Sequence, residues 1–232
     1  MAPDQLRGSF GQLQCQEPLC RQGSFVAAQV MKCAISANNE KREQTVTSET
    51  ATFGRYAEIP YDQMTSEQKD AYDTIIEARG RLPGPVKIWI HNPKLAKVVS
   101  AFGVHFQPGG YSLTEREREI AVCIITSHWH SAYPTAAHER RAKEVGLPAA
   151  AVEAMIGGMP TAFDDAREQI VYEMATVLAG ARWVPRGLYQ RAVDALGHVG
   201  VTDVITLMGH YSSVAMTLAF YDVPDGATGI QR

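Results

Sequence analysis

The sequence predicts an all-α domain, a bundle of helices joined by short turns, and three observations predict it. Apolar residues recur three or four positions apart from about residue 61 onward, the repeat of helices that bury one face. Start signals such as Thr65-Ser66-Glu67-Gln68 stand ahead of these stretches, and glycine or proline closes them. No alternating apolar–polar run, no Asn-Gly hairpin signal and no repeat of fixed period is evident.

A first helix is expected over residues 61–80, with Thr65 and Gln68 as a capping box, Ala71, Tyr72, Ile75 and Ile76 on its buried face, and Gly80 at its end. Leu82-Pro83-Gly84-Pro85 makes a rigid turn before a short helix over 86–91. Pro93 suits a first helical position, and the helix it opens runs to His105. Thr114 and Glu117 box the start of the next. Its first turns, Glu115 to Arg118, are all charged, whereas residues 120–125 are apolar on every side. A helix apolar all round is surrounded by protein, so this one is expected at the centre. Helices then begin at Pro134 and Pro148 and stop at Gly146 and Gly157. Asp165 and Glu168 cap another, which runs to Ala181. Pro185 opens the next, to Leu196, with Gly197 and Gly200 closing it, and residues 202–220 form a last apolar helix.

The 232 residues carry 22 Lys+Arg against 25 Asp+Glu, a formal charge of −3, with 45% apolar and 20% charged residues. Without a basic excess to neutralise phosphates, no nucleic-acid partner is expected. No uninterrupted apolar run approaches the roughly 18 residues of a membrane span, so no membrane partner is expected either. Four cysteines, Cys15, Cys20, Cys33 and Cys123, are too few for a disulfide scaffold, which points to a reducing, cytoplasmic setting.

Residues 1–54 form a separate regime, with five basic and five acidic residues, three of the four cysteines, and no sustained amphipathic period. The apolar stretch from Phe25 to Met31 is too short for a secretory signal and meets Lys32 at once. The Cys15, Cys20, Cys33 spacing matches no common zinc knuckle. Residues 1–54 are therefore expected to be a disordered extension, and residues 55–232 the helical domain.

The chemistry concentrates between Glu119 and His138. Glu119, Cys123, Ser127 and His130 lie three or four apart and share one helix face. His138, one turn beyond Pro134, can fold back toward that face. A buried acid beside an imidazole makes a proton-transfer pair, although an ion-paired glutamate and a structural histidine fit the same spacing. His128-x-His130 suggests zinc, but side chains two apart on a helix point about 200° apart, so no metal is expected. His130 and Tyr133 are candidates to donate to a substrate oxygen. His105, His210 and Tyr211 are weaker candidates; Trp129 is expected in the core, and Arg116 and Arg118 on a solvated face.

Leu113-Thr114-Glu115-Arg116-Glu117-Arg118-Glu119-Ile120-Ala121, with His138-Glu139-Arg140-Arg141-Ala142-Lys143-Glu144-Val145-Gly146-Leu147 after it, resembles the carboxymuconolactone decarboxylase family, which includes the alkylhydroperoxidase D-like proteins. Gly80-Arg81-Leu82-Pro83-Gly84-Pro85, Asn92-Pro93-Lys94-Leu95-Ala96 and Gly209-His210-Tyr211 add to the likeness, which covers residues 60–222. The family signature sets a Glu, two positions twelve and fifteen residues on, and a His at nineteen. Here these are Glu119, Ser131, Pro134 and His138. The peroxidase branch needs a thiol at both middle positions, so dithiol peroxidase activity is not expected. The acidic-Trp element of many longer members is also missing from residues 132–137.

The resemblance implies an alkylhydroperoxidase D-like helical bundle and a lyase-like enzyme that needs no cofactor. Its substrate would be a small organic acid, lactone or related intermediate of aromatic catabolism. His138 would be the general acid/base, oriented by Glu119, with His130 and Tyr133 positioning a carboxylate or carbonyl. Family members form homo-oligomers, usually trimers or hexamers. The alternatives are a non-catalytic oligomeric binding protein, or residual thiol redox chemistry through Cys123.

Overall fold

In the computed structural model, residues 50–230 are described, and they form eight α-helices. A 3₁₀ turn, Tyr61–Gln63, precedes α1 (Ser66–Arg79). Then come α2 (Gly84–Trp89), α3 (Pro93–His105), α4 (Glu115–His128), α5 (Ala132–Glu144), α6 (Ala149–Ile156), α7 (Ala166–Ala179) and α8 (Arg186–Phe220). The all-α expectation holds, and no strand occurs among the described residues. The readings placed on Cys15, Cys20, Cys33 and residues 25–31 lie outside them. The expectation of a disordered extension before residue 55 falls for the most part outside them as well. Phe53 is fully buried with Tyr56, Ile88, Val214 and Leu218, an anchor that the polar surroundings of residues 44–52 concealed.

Capping sets where the helices begin. Thr65 Oγ1 accepts from the Gln68 amide while Gln68 Oε1 accepts from the Thr65 amide, so α1 starts after that box rather than at Tyr61. Glu117 closes the equivalent box on Thr114 at the head of α4. Asp165 accepts from the amides of Arg167 and Glu168, whereas the Glu168 carboxylate pairs with Arg116 instead of capping. Helix α5 starts at Ala132, two residues before Pro134. The proline falls within the first turn, where no backbone N–H is needed.

Helix α4 packs against α5, α6, α7 and α8, and Ile120 to Ile125 are all buried, so the all-round apolar stretch is indeed the central helix. Each isoleucine and valine of this stretch contributes about 1.5–3 kcal/mol relative to exposure. Helices α1 and α3 pair, and α2 packs on α3 and α8, forming a smaller layer beside the core. Helix α8 bends at Gly197, whose φ of 65° breaks the helical conformation where the helix opened by Pro185 was expected to end. By length and composition α8 is apolar enough to cross a membrane. Contiguous apolar runs miss this because Gly, Ser and Thr interrupt them.

Candidate active site

The site forms where the central helix meets α5 and α8. Glu119, the fifth residue of α4, is 0% exposed, and a carboxylate with no access to water needs partners. Two supply them. Its Oε2 lies 2.7 Å from His138 Nδ1, and its Oε1 accepts from the Arg118 guanidinium. Arg118 is itself largely buried, donating from Nε to the Phe106 carbonyl at 3.2 Å and from Nη2 to the Tyr211 hydroxyl at 2.6 Å. Tyr211 sets its ring edge-on to His138, with centroids 4.9 Å apart. The expectation of a solvated Arg118 is overturned. The fold buries α4 from Glu117 to Thr126 apart from part of Arg118, and that guanidinium turns inward to neutralise Glu119. Arg116 is also engaged, donating to Glu168 at 2.5 and 2.9 Å and to the Gly146 carbonyl.

A carboxylate can only accept, so His138 Nδ1–H donates to an ionised Glu119, and in the neutral imidazole that leaves the lone pair on Nε2. Nε2 makes no hydrogen bond to protein among the described residues, and His138 lines a cavity of about 180 Å³. The cavity lies between the α1–α3 layer, α5 and α8. Pro83, Pro85, Trp89, Tyr133 and Tyr211 give it flat apolar walls, and Arg79, Arg81 and His210 give it basic ones. Burial, with the Arg79 and Arg118 guanidiniums nearby, pulls His210 down to about 4, so it is neutral at physiological pH. Burial pushes the Tyr211 hydroxyl above its ordinary value, so it remains a neutral phenol.

Of the four sequence candidates, the fold brings three to this cavity: His138 on its wall with Glu119 behind it, and Tyr133 on the wall beside them. Tyr133 packs edge-on against Phe53, 5.5 Å between centroids. His130 does not join them. Helix α4 ends at His128, and His130 has a φ of 49°, a left-handed conformation that terminates the helix and sends its side chain outward. It is exposed in a separate groove with Ser127, His128 and Arg182. Trp129 is likewise half exposed rather than in the core. Cys123 is 0% exposed, does not line this cavity, and has its thiol pushed far up by burial and by Glu119. No cluster of three or more metal-ligating side chains occurs among the described residues.

Sequence reasoning missed Arg79 altogether. It occupies the last turn of α1, where a cation ordinarily complements the helix dipole, so nothing local marks it. His210 and Tyr211 carried a faint signal, two polar rings within an otherwise apolar helix.

No family model and no curated protein sequence matches the chain. Among solved structures it is similar to the apo debrominase Bmp8, at 14% identity and a TM-score of 0.54, covering 70% of this chain and 87% of that one. It is also similar to a cysteine-to-alanine variant of Bmp8 in complex with 2,3,4-tribromopyrrole, at 12% identity and a TM-score of 0.55, covering 76% and 91%. Identities this low speak for architecture alone, and with the helix order above they show that the chain has the all-α alkylhydroperoxidase D-like fold.

Proposed function

We propose that the protein is a cofactor-independent enzyme, akin to the carboxymuconolactone decarboxylase family, that moves a proton on a small organic acid or lactone. The observation that carries this reading is the 2.7 Å contact between His138 Nδ1 and the buried Glu119, on a histidine that lines a cavity and keeps Nε2 free of protein partners among the described residues. Nε2 takes a proton from a carbon beside a carbonyl. Glu119 stabilises the imidazolium that forms, and the same nitrogen returns the proton at carbon or oxygen. Decarboxylation and lactone isomerisation both contain such a step. Arg118 and Tyr211 hold Glu119 and His138 in place, and Tyr133 lines the cavity wall beside them.

The debrominase likeness raises a thiol route as a second reading. Against it stands the only cysteine among the described residues, Cys123, sealed in the core with its thiolate disfavoured. Ser131 and Pro134, the family's thiol positions, are both buried. A non-catalytic binding protein is the other alternative, and one variant separates it from the enzyme. Small lactones and keto acids are incubated with the protein in D₂O, and loss of their C–H signals is monitored by proton NMR. His138→Ala should slow exchange at least about 100-fold and Glu119→Gln about tenfold or more. Exchange at the wild-type rate in His138→Ala removes the proposal, and retained affinity without exchange in the wild type favours the binding protein.

A further inference from the structure

We infer that Arg79 and His210 form an anion subsite on the wall of this cavity, holding the carboxylate of a small ring-shaped substrate and turning its reacting atom toward His138. The charge pattern is the first support. Two arginines and two histidines line the cavity, and no aspartate or glutamate does. Arg81, the other arginine on the wall, is exposed, while cations elsewhere that reach inward have carboxylates: Lys87 has Glu58, Arg116 has Glu168, Arg118 has Glu119 and Arg167 has Glu117. Arg79, half-buried, has no acidic partner among the described residues and donates only a long bond, 3.4 Å, to the Ser100 carbonyl. A shielded guanidinium without an anion is costly, and an incoming carboxylate relieves that cost.

Packing is the second support. A Cβ on Gly103 would come within 3.0 Å of both Arg79 Nη1 and His210 Nε2. The bare backbone of α3 is what lets those two groups converge from α1 and α8. The other nitrogen of the same ring, His210 Nδ1, is buried without a partner. Because burial keeps that ring neutral, it offers a carboxylate a neutral N–H beside the arginine's charge.

Size and shape narrow the ligand. About 180 Å³ between the rings of Trp89, Tyr133 and Tyr211 suits one ring bearing a small substituent, since a dry cavity of roughly 150 Å³ takes benzene. The inference deepens the proposed function by naming its substrate class, a monocyclic carboxylate. It relies on that reading only for the chemical step after binding.

Titration calorimetry with benzoate and its neutral counterpart benzamide tests the subsite without any turnover. The wild type should bind benzoate at least about tenfold more tightly than benzamide. Arg79→Gln should lose that preference, Arg79→Lys should recover part of it, and Gly103→Ala should weaken benzoate while circular dichroism stays native. A wild type that ignores benzoate, equal affinities for the two probes, or an Arg79→Gln variant with undiminished preference each overturns the inference. Arg79-dependent benzoate binding without C–H exchange keeps the subsite and removes the proton-transfer reading; exchange without it does the reverse.

Discussion

His210 sits neutral beside two guanidiniums, and that placement has a measurable cost at acid pH. Its folded-state value, about 4, lies below the ordinary 6.5. Between those limits the unfolded chain binds a proton that the folded chain refuses, so folding stability falls as pH drops from about 6.5 toward 4. The penalty reaches at most about 3 kcal/mol, less whatever partial exposure screens. His210→Gln keeps a neutral polar group and removes the titration. Its urea midpoint should therefore fall less than the wild type's between pH 7 and pH 4.5, and parallel curves for the two proteins would refute the assignment. The Glu119–His138 pair was legible in the sequence because the break at Pro134 lets His138 fold back toward the face of Glu119, and because the family resemblance pairs the same two positions. His130 misleads because the three-to-four spacing runs on past His128, where the backbone has already left the helix and turns left-handed. Arg79 and Arg118 were illegible for a different reason: whether an arginine points to solvent or inward depends on neighbours elsewhere in the fold, here Gly103 and the buried Glu119.

Elements are more legible than residues, because caps and breakers act over three or four positions. The boxes at Thr65 and Thr114 form as expected, and the glycine break at Gly197 falls where the periodicity ends. What local signals do not give is how α4 is tied to α7. Glu117 is 2% exposed, and while one oxygen closes the Thr114 box, its carboxylate also pairs with Arg167, Nε to Oε1 at 2.7 Å. Arg167 in turn donates to the Ala195 carbonyl on α8 at 2.9 Å, so one guanidinium bridges three helices. Removing a cap costs about 1 kcal/mol, whereas leaving a buried carboxylate unpaired costs about 3–5 kcal/mol. Arg167→Met should accordingly destabilise the protein several-fold more than Thr114→Ala in urea unfolding. Equal effects would mean that Glu117 is satisfied by its cap alone.

At the scale of the whole molecule, α8 poses the problem that the single chain does not solve. From Val204 to Tyr221 it has no lysine, arginine, aspartate or glutamate, yet Ile205, Met216 and Phe220 are exposed, the last at 75%. Val98 and Phe102 of α3 are exposed as well, and the Phe102 ring contacts His210 of α8. Soluble monomers rarely leave large apolar patches open. Gly209 and Ser213 lie along the same helix, exposed, and nothing stands within 4 Å of where a Gly209 Cβ would be, so a second helix can approach closely there. A second copy of the chain suits such a face, because an isologous contact pairs one charge-free strip with its own image and needs no complementary charges. The homo-oligomer that the family resemblance implies would then be built on α8, the helix that carries His210 and Tyr211. Light scattering on the wild type should give a mass that is a multiple of the single chain's. Met216→Glu combined with Phe220→Glu, both at exposed positions, should reduce it to the monomer without loss of helicity. A monomeric wild type would remove the expectation, and an unchanged oligomer in the double variant would move the interface off α8.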